Sequence, residues 1–181
     1  TTLLNGGSPV TVALHHKRTR RWYQYNVPVR ADQHEVHKYL AIATVLDCPR
    51  ERNPVLELTP PCEAREYVDE LVSSNGFDSD HRFIGINPGG STPDKRWPLE
   101  RFATVADRLF EETGLSIMIF GGPSDHRRAS EIARLMKSKP LIVAGRASLG
   151  HTAALLERCR MLVTGDTGPM HMAVALAVPV A

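Results

Sequence analysis

Residues 83–91 read Phe83-Ile84-Gly85-Ile86-Asn87-Pro88-Gly89-Gly90-Ser91. The first five residues, 83–87, form a short, mainly apolar run that predicts a strand, and the proline and two glycines that follow are typical of a loop. An amphipathic stretch follows, in which Pro98 suits the first helical turn and Gly114 suits the helix end. A strand, a loop and a helix in this order predict one βα unit, the building block of a parallel sheet.

The same order recurs three times after Gly114. Further strands are predicted over residues 115–120, 141–144 and 161–164. Ser124 and Ser148 are expected to cap the next two helices, and a short helix is expected near 170–177. Right-handed crossovers bring every strand-to-helix loop to one edge of such a sheet, which is where ligands bind. The sequence therefore predicts an α/β fold with a parallel sheet and a ligand site at that edge.

The first third of the chain is less regular. It suggests a strand over 10–14, a helix over 34–46, a proline-rich connection over 49–61 and another helix over 62–75. We therefore predict two domains: residues 1–78 as a partial first domain with its linker, and residues 79–181 as a second, α/β domain.

Both ends of the sequence suggest a piece of a longer protein. The chain opens at Thr1 without a methionine, and its last residues, Val178-Pro179-Val180-Ala181, resemble the start of a strand. We expect an incomplete first domain and a truncated second one.

Composition narrows the class of protein. The 181 residues are 42% hydrophobic, as in ordinary globular chains, and the net charge of +2 gives no argument for nucleic acid as a partner. Three widely spaced cysteines fit a reducing compartment better than a disulfide framework. The apolar runs are shorter than the roughly 20 residues of a membrane span, and no signal peptide is recognisable. These features predict a cytoplasmic protein whose contact with a membrane, if any, is peripheral.

The loop over residues 87–95 is the first candidate for chemistry. Its two glycines allow a diphosphate to approach the backbone closely, and Lys95 then lies within reach of the phosphates. An ammonium there would neutralise the charge that develops on a departing diphosphate. A tight turn with a solvated lysine explains the same residues.

The loop over residues 165–171 is more specific. Gly165-Asp166-Thr167-Gly168-Pro169-Met170-His171 combines a hydroxyl, two glycines and a histidine at the start of a helix, where anions are attracted. Asp166 would repel a diphosphate, so it is expected to organise the turn or to hold a sugar. A plain helix cap with a packed histidine is the alternative.

The intervening loop, Gly121-Gly122-Pro123-Ser124-Asp125, places a carboxylate where it can accept hydrogen bonds from a ribose. Helix capping by Ser124 and Asp125 explains these residues equally well. The sequence lacks the glycine motifs of Rossmann dehydrogenases and P-loop NTPases and the nucleophile elbow of serine hydrolases, which argues against those classes.

Two further clusters carry less chemistry. The basic run over 15–21 would suit a phosphorylated acceptor or an anionic lipid surface, but it also fits a solvated face. His34 and His37 have no third partner at metal spacing and are interpreted as helix-surface residues, so no metal is expected.

Taken together, three segments resemble the heptosyltransferases of glycosyltransferase family 9. They are 86–98 around Asn87-Pro88-Gly89-Gly90-Ser91 and Lys95-Arg96-Trp97-Pro98, then 120–125, and then 165–171, in matching order and spacing. The similarity covers residues 82–181 and continues more weakly over 34–40. It implies a GT-B architecture of two Rossmann-like domains: an acceptor-side domain, of which residues 1–78 would be a part together with the linker, and a nucleotide-sugar-binding domain over residues 79–181.

The resemblance also implies roles for individual residues. Gly90, Ser91 and Lys95 would contact the diphosphate, Asp125 the ribose, and the backbone of Ala147, Ser148 and Leu149 the adenine. The phosphates and the sugar would be held by Asp166, Thr167, Gly168 and His171. Pro93 and Arg96 depart from the residues that the family often has beside the lysine, so details of donor and acceptor binding stay open.

The implied reaction is inverting transfer of heptose from ADP-heptose to the inner core of lipopolysaccharide, with no metal and with Lys95 stabilising the leaving ADP. The general base of the family is an aspartate near the start of the first domain, and no residue of this chain is assigned to that role. A nucleotide-binding module without catalysis and another GT-B enzyme, such as a sugar-nucleotide epimerase, are the alternative interpretations.

Overall fold

The computed structural model describes residues 10–15, 20–49, 53–90 and 96–181. The chain forms two compact units, Thr1–Val55 and Leu56–Ala181. Among the helices of these described ranges, none has the length and apolar character needed to cross a bilayer.

The first unit contains a small parallel sheet and a helix. Strand β1 (Val12–Leu14) pairs with strand β2 (Tyr25–Val27), and helix α1 (Glu35–Thr44) follows. His34 caps that helix, because its Nδ1 accepts a hydrogen bond from the Val36 N–H at 3.3 Å. The predicted strand and helix are present, whereas β2 was not predicted, since three residues are too few to show an alternating pattern. Residues 16–19 of the basic run lie outside the described residues.

The second unit is a parallel sheet of four strands with helices on both faces. The strands are β3 (Phe83–Asn87), β4 (Ser116–Ile119), β5 (Leu141–Ile142) and β6 (Cys159–Thr164). The helices are α2 (Cys62–Ser74), α3 (Leu99–Thr113), α4 (His126–Leu135), α5 (Leu149–Glu157) and α6 (Gly168–Ala175). The predicted α/β class with parallel strands is confirmed.

The strand order places a topological switch point beside β3. The spatial order is β5-β4-β3-β6, so the chain moves outward from β3 to β5 and then returns to the other side of β3. Open α/β sheets bind ligands where the strand order reverses, just beyond the carboxyl ends of the two strands. Here that position lies between the ends of β3 and β6. The last residues also pair as predicted, since Val180 forms a parallel bridge with Leu162 on the far side of β6.

Alternating side chains of the strands fill two cores, one on each face. Ile84 and Ile86 of β3 point to the face covered by α3 and α4, whereas Phe83 points to the face covered by α2, α5 and α6. All three side chains are at most 1% exposed. This period of two is the pattern expected of a sheet that is covered on both sides.

The boundary between the units differs from the predicted one at 78/79. Helix α2 belongs with the second unit because its side chains Ala64, Val68 and Val72 are buried in the core of the sheet. Arg65 on the same helix also forms a two-point ion pair with Glu157 at the end of α5, with both N–O distances at 2.8 Å. The compact second unit therefore begins at Leu56, before α2. The assignment of the residues ahead of it to an acceptor-side domain stays a prediction.

Asp107, on α3, ties down the loop between α4 and β5. Its buried carboxylate accepts hydrogen bonds from the Lys137 N–H, at 2.9 and 3.0 Å, and from the N–H and hydroxyl of Ser138, at 3.2 and 3.1 Å. Burial by itself raises the pKa of this carboxyl, but the hydrogen bonds together outweigh it, so the pKa lies below its usual value. Asp107 thus stabilises the fold at the sheet edge opposite the switch point.

We expect Asp107→Ala to lower the free energy of unfolding by about 2–3 kcal/mol at pH 7, because two backbone N–H groups and the Ser138 hydroxyl lose their charged acceptor. The pKa of Asp107 is lower in the folded chain than in the unfolded one. Its contribution is therefore complete above about pH 4 and disappears as the pH falls through the folded-state pKa. Urea unfolding at pH 7, 5 and 3.5 measures this, with the exposed Asp80→Ala as the control. A difference between Asp107→Ala and the parent that stays the same at all three pH values would contradict the assignment.

Candidate functional site

Three strand-to-helix loops meet at the carboxyl edge of the sheet. They enclose a cleft of about 420 Å³ at the switch point between β3 and β6. From the first loop the cleft is lined by Asn87, Gly89, Gly90 and Arg96; from the second by Gly122, Ser124 and Asp125; and from the third by Asp166, Thr167, Gly168 and Pro169. These are the three loops predicted from the sequence to form the ligand site, and the structure brings their described residues into one cavity.

A buried amide joins the first loop to the third. Asn87 is 2% exposed, and its Nδ2 donates hydrogen bonds to the hydroxyls of Thr164 and Thr167, both at 2.9 Å. Thr167 is the N-cap residue of α6. The end of β3 is thus connected directly to the end of β6 and to the start of α6.

Asp125, in the second loop, lies close to Gly89 of the first loop. Its Oδ2 accepts a hydrogen bond from the Gly122 N–H at 3.0 Å, and a Cβ added to Gly89 would lie 3.4 Å from the same oxygen. Gly121 has φ of +150°, and a Cβ there would approach Asp125 Cβ to 2.7 Å, so glycine is required for this packing. The predicted helix capping differs from the observed one. Asp125 occupies the N-cap position of α4 without a side-chain hydrogen bond to that helix, and its carboxylate instead closes the 3₁₀ turn Pro123–Asp125 through the Gly122 N–H. Ser124 makes no side-chain cap.

Two arginines bind the carbonyl groups of the first loop. Arg96 Nε donates to the Gly90 carbonyl at 3.0 Å, and an Nη of Arg128 on α4 lies 3.5 Å from the Pro88 carbonyl. Each guanidinium offsets the partial negative charge of a carbonyl oxygen beside the cleft. The two arginines therefore make the first loop more favourable for an anion, because they offset carbonyl oxygens that would otherwise repel it.

The third loop carries a carboxylate that faces solvent. The side chain of Asp166 is 74% exposed and that of His171 is 63% exposed, with Asp166 Oδ1 lying 3.8 Å from His171 Nε2. Asp166 lines the cleft, whereas His171 lies beside it on the first turn of α6 and does not line the cleft. A sugar hydroxyl is a suitable donor to this carboxylate, whereas a phosphate is not.

The remaining predicted site residues lie elsewhere. Ser91 and Lys95 fall outside the described residues, so their predicted roles stay predictions. Ala147, Ser148 and Leu149 do not line the cleft but begin the neighbouring helix α5, where Ser148 Oγ accepts from the His151 N–H at 3.1 Å. The Leu149 side chain is 78% exposed. An exposed apolar side chain at a helix start is compatible with adenine binding, which also stays a prediction.

A larger cleft of about 690 Å³ lies at the opposite edge of the sheet, near the amino ends of β3 and β6. Three of its arginines have partners: Arg65 pairs with Glu157, Arg158 pairs with Asp69, and Arg82 donates to the Glu157 carbonyl. Its cysteine, Cys159, is buried, and burial raises the pKa of that thiol to about 12. These contacts are those of a structural ion-pair cluster.

Sequence reasoning assigned no role to Asn87 and Arg96 individually. Asn87 is a polar residue at the end of an otherwise apolar buried strand, and such a residue needs a hydrogen-bond partner. Arg96 follows Lys95 directly and adds a second cation to the same loop. These two signals were present in the sequence, but the partners of both side chains are distant or backbone groups that periodicity does not reveal.

Comparison with known proteins agrees with this geometry. The family model of glycosyltransferase family 9 (heptosyltransferase) matches residues 5–181. Lipopolysaccharide heptosyltransferase 2 of Escherichia coli (strain K12) is 34% identical over 158 residues, which cover 80% of this chain and 43% of that protein. Its counterpart in Salmonella typhimurium is 31% identical over 152 residues, with the same coverage.

Solved structures show the same similarity. The glycosyl transferase family 9 structure from Veillonella parvula DSM 2008 superimposes with a TM-score of 0.83 at 33% identity, covering 96% of this chain and 50% of that one. The structure of E. coli ADP-heptose lps heptosyltransferase II gives a TM-score of 0.79 at 25% identity, covering 96% and 55%. The chain thus spans about half the length of these relatives. The family match, the relatives and the fold agree with the residues of the cleft: the chain belongs to glycosyltransferase family 9, the heptosyltransferases.

Proposed function

We propose that the protein to which this chain belongs transfers heptose from ADP-heptose to the inner core of lipopolysaccharide, and that this chain binds the nucleotide sugar. The observation that carries the proposal is the convergence of three loops around one cleft at the switch point. The names of two relatives, the lipopolysaccharide heptosyltransferase 2 proteins of Escherichia coli and Salmonella typhimurium, support the same substrates.

The cleft suits a nucleotide diphosphate attached to a sugar. Gly89 and Gly90 leave room for phosphate oxygens near the backbone, and the start of α6 attracts negative charge. The exposed Asp166 carboxylate can accept hydrogen bonds from sugar hydroxyls. Phosphate binding is therefore assigned to the glycine loop and the helix start, and sugar binding to Asp166 and His171.

In the proposed reaction an acceptor hydroxyl attacks the anomeric carbon while the bond to the ADP oxygen breaks, which inverts the configuration. Negative charge then grows on the diphosphate, and groups aimed at it lower the barrier. We assign this stabilisation to Lys95, supported by Arg96. A general base should take the proton of the acceptor, and no residue of this chain is assigned to that step.

We propose that the reaction needs no metal ion, because cations of the protein and backbone N–H groups can neutralise the diphosphate. Activity that is unchanged by excess EDTA would support this proposal, and activity that is lost and then restored by Mg²⁺ would contradict it.

The acceptor belongs to lipopolysaccharide, so we place the enzyme at the cytoplasmic face of the inner membrane, in peripheral contact with it.

The test is incubation of the full-length protein with ADP-heptose and a heptose-acceptor core oligosaccharide, followed by mass spectrometry of both products. We expect ADP to be released and one heptose to be added to the acceptor. Calorimetric titration with ADP gives the binding constant independently of turnover.

Other outcomes would identify the alternative functions. Tight ADP binding without any transfer would favour a binding module without catalysis. Recovery of an epimerised sugar nucleotide, with no glycoside formed, would favour an epimerase. Failure to bind ADP at all would contradict the assignment of the cleft.

A further inference from the structure

We propose that Asn87 is a positioning residue that fixes the spacing of the two phosphate-binding turns, residues 88–90 and 165–168, before the ligand arrives. The inference rests on the proposed function, because it takes a nucleotide diphosphate as the ligand. It makes Asn87 the residue that lets the protein distinguish a diphosphate from a monophosphate.

The first observation is that Asn87 uses both of its side-chain donors. Its buried NH₂ group carries two protons, and it donates to Thr164 Oγ1 and to Thr167 Oγ1, each at 2.9 Å. The two hydroxyl protons can then be directed at the Gly165 carbonyl, which is 3.0 Å from Thr164 Oγ1 and 3.3 Å from Thr167 Oγ1. One amide, two hydroxyls and one carbonyl thus form a hydrogen-bonded network within the turn.

The second observation is the position of this network in the fold. Asn87 and Thr164 are the last paired residues of β3 and β6, so the side-chain bond extends the strand pairing beyond the backbone ladder. Thr167 lies three residues further on, at the N-cap of α6. The network therefore joins the glycine loop after β3 to the helix start after β6.

The third observation concerns the Thr167 hydroxyl. Because it accepts from Asn87 and can donate to the Gly165 carbonyl, its hydrogen-bonding capacity is largely used inside the protein. An anion would therefore be bound by the backbone of this turn, which is held at a defined distance from the backbone of Gly89 and Gly90. A site whose donors are fixed in advance loses little free energy to ordering when the ligand binds.

An asparagine is chemically suited to this role. An aspartate of the same shape would donate no hydrogen bond and would add a buried negative charge beside an anion site. A leucine of similar volume would leave two half-buried hydroxyls without their donor. An alanine would remove the connection and leave a cavity.

The consequence is a difference between ligands. A diphosphate can contact both turns at once and gains from their fixed spacing, whereas a monophosphate contacts only one and gains little. Loss of the network should therefore weaken ADP binding more than AMP binding. Overall destabilisation of the fold would weaken both equally.

The experiment measures dissociation constants for ADP and AMP by calorimetry on the parent chain and on Asn87→Ala, Thr164→Val and Thr164→Ser. We expect Asn87→Ala to lower the preference for ADP over AMP by about tenfold and Thr164→Val, which keeps the side-chain shape but lacks the hydroxyl, by about threefold to tenfold. Thr164→Ser keeps the hydroxyl and should retain the parent preference.

Asp107→Ala is the matched control, because Asp107 is another buried polar residue of the same unit that ties a loop at the opposite edge. It should lower stability without changing the ADP-to-AMP ratio. If Asn87→Ala does not fold, as judged by circular dichroism, the two Thr164 variants decide the question.

An unchanged ratio in the folded Asn87→Ala and Thr164→Val variants would overturn the inference, as would an equal loss of preference in Asp107→Ala. Either result leaves the proposed function standing if the parent binds ADP and the full-length protein transfers heptose. A parent chain that binds neither nucleotide would overturn both the inference and the proposed function.

Discussion

Lys95→Ala should lower kcat for heptose transfer by about 10²- to 10³-fold in the full-length enzyme, while ADP affinity falls less than about tenfold. The negative charge on the leaving diphosphate is greatest in the transition state, so an ammonium aimed at it contributes most at that point. Steady-state kinetics with ADP-heptose and calorimetry with ADP measure the two effects separately.

The prediction rests on the position of Lys95 after the glycine loop, since the residue itself lies outside the described part of the chain. Lys139→Ala is a suitable control because Lys139 is an exposed lysine just before β5, at the other edge of the sheet. It should leave both parameters unchanged. Equal losses of kcat and ADP affinity in Lys95→Ala would count against the assigned role, because the loss would then not be concentrated in the transition state.

Asp166→Asn should lower kcat/KM for ADP-heptose by about tenfold to a hundredfold, because a hydrogen bond from a sugar hydroxyl to a carboxylate is lost. ADP alone should bind up to about fivefold more tightly at low salt. The Asp166 carboxylate is exposed beside the proposed diphosphate position, where its charge repels the ligand.

The Asp166 prediction is distinctive because kcat/KM for ADP-heptose should fall while the affinity for ADP alone rises. Added salt should reduce the gain in ADP affinity, because exposed charges are screened. Titrations at two ionic strengths together with donor kinetics test this. A parallel fall in ADP affinity and in donor use would assign Asp166 to the structure of the turn.

Most of the second unit could be predicted because its signals are local. The strand Phe83–Asn87 was predicted with its observed bounds, since a buried apolar run followed by proline and glycine is unambiguous. The ends of β4 and β5 came out shorter than predicted, because backbone pairing with a neighbour decides where a strand ends. The position of the strand-to-helix loops at one edge of the sheet could be predicted because all four strands run in the same direction.

The parts that could not be predicted depend on contacts between distant residues. The helix predicted over 62–75 was placed ahead of the second domain, and only the packing of α2 on the sheet shows that it belongs to the second unit. Likewise, Asn87 appears in the sequence as a strand-end residue, and its partners lie 77 and 80 positions away. Neither feature leaves a periodic trace in the sequence.

The cleft between the three loops is tested most directly by a crystal structure of the chain with ADP. We expect the diphosphate to lie between the turn at Gly89 and Gly90 and the start of α6 at Thr167 and Gly168. ADP bound in the larger cleft near Arg82 and Arg160, with the switch-point cleft left empty, would contradict this assignment.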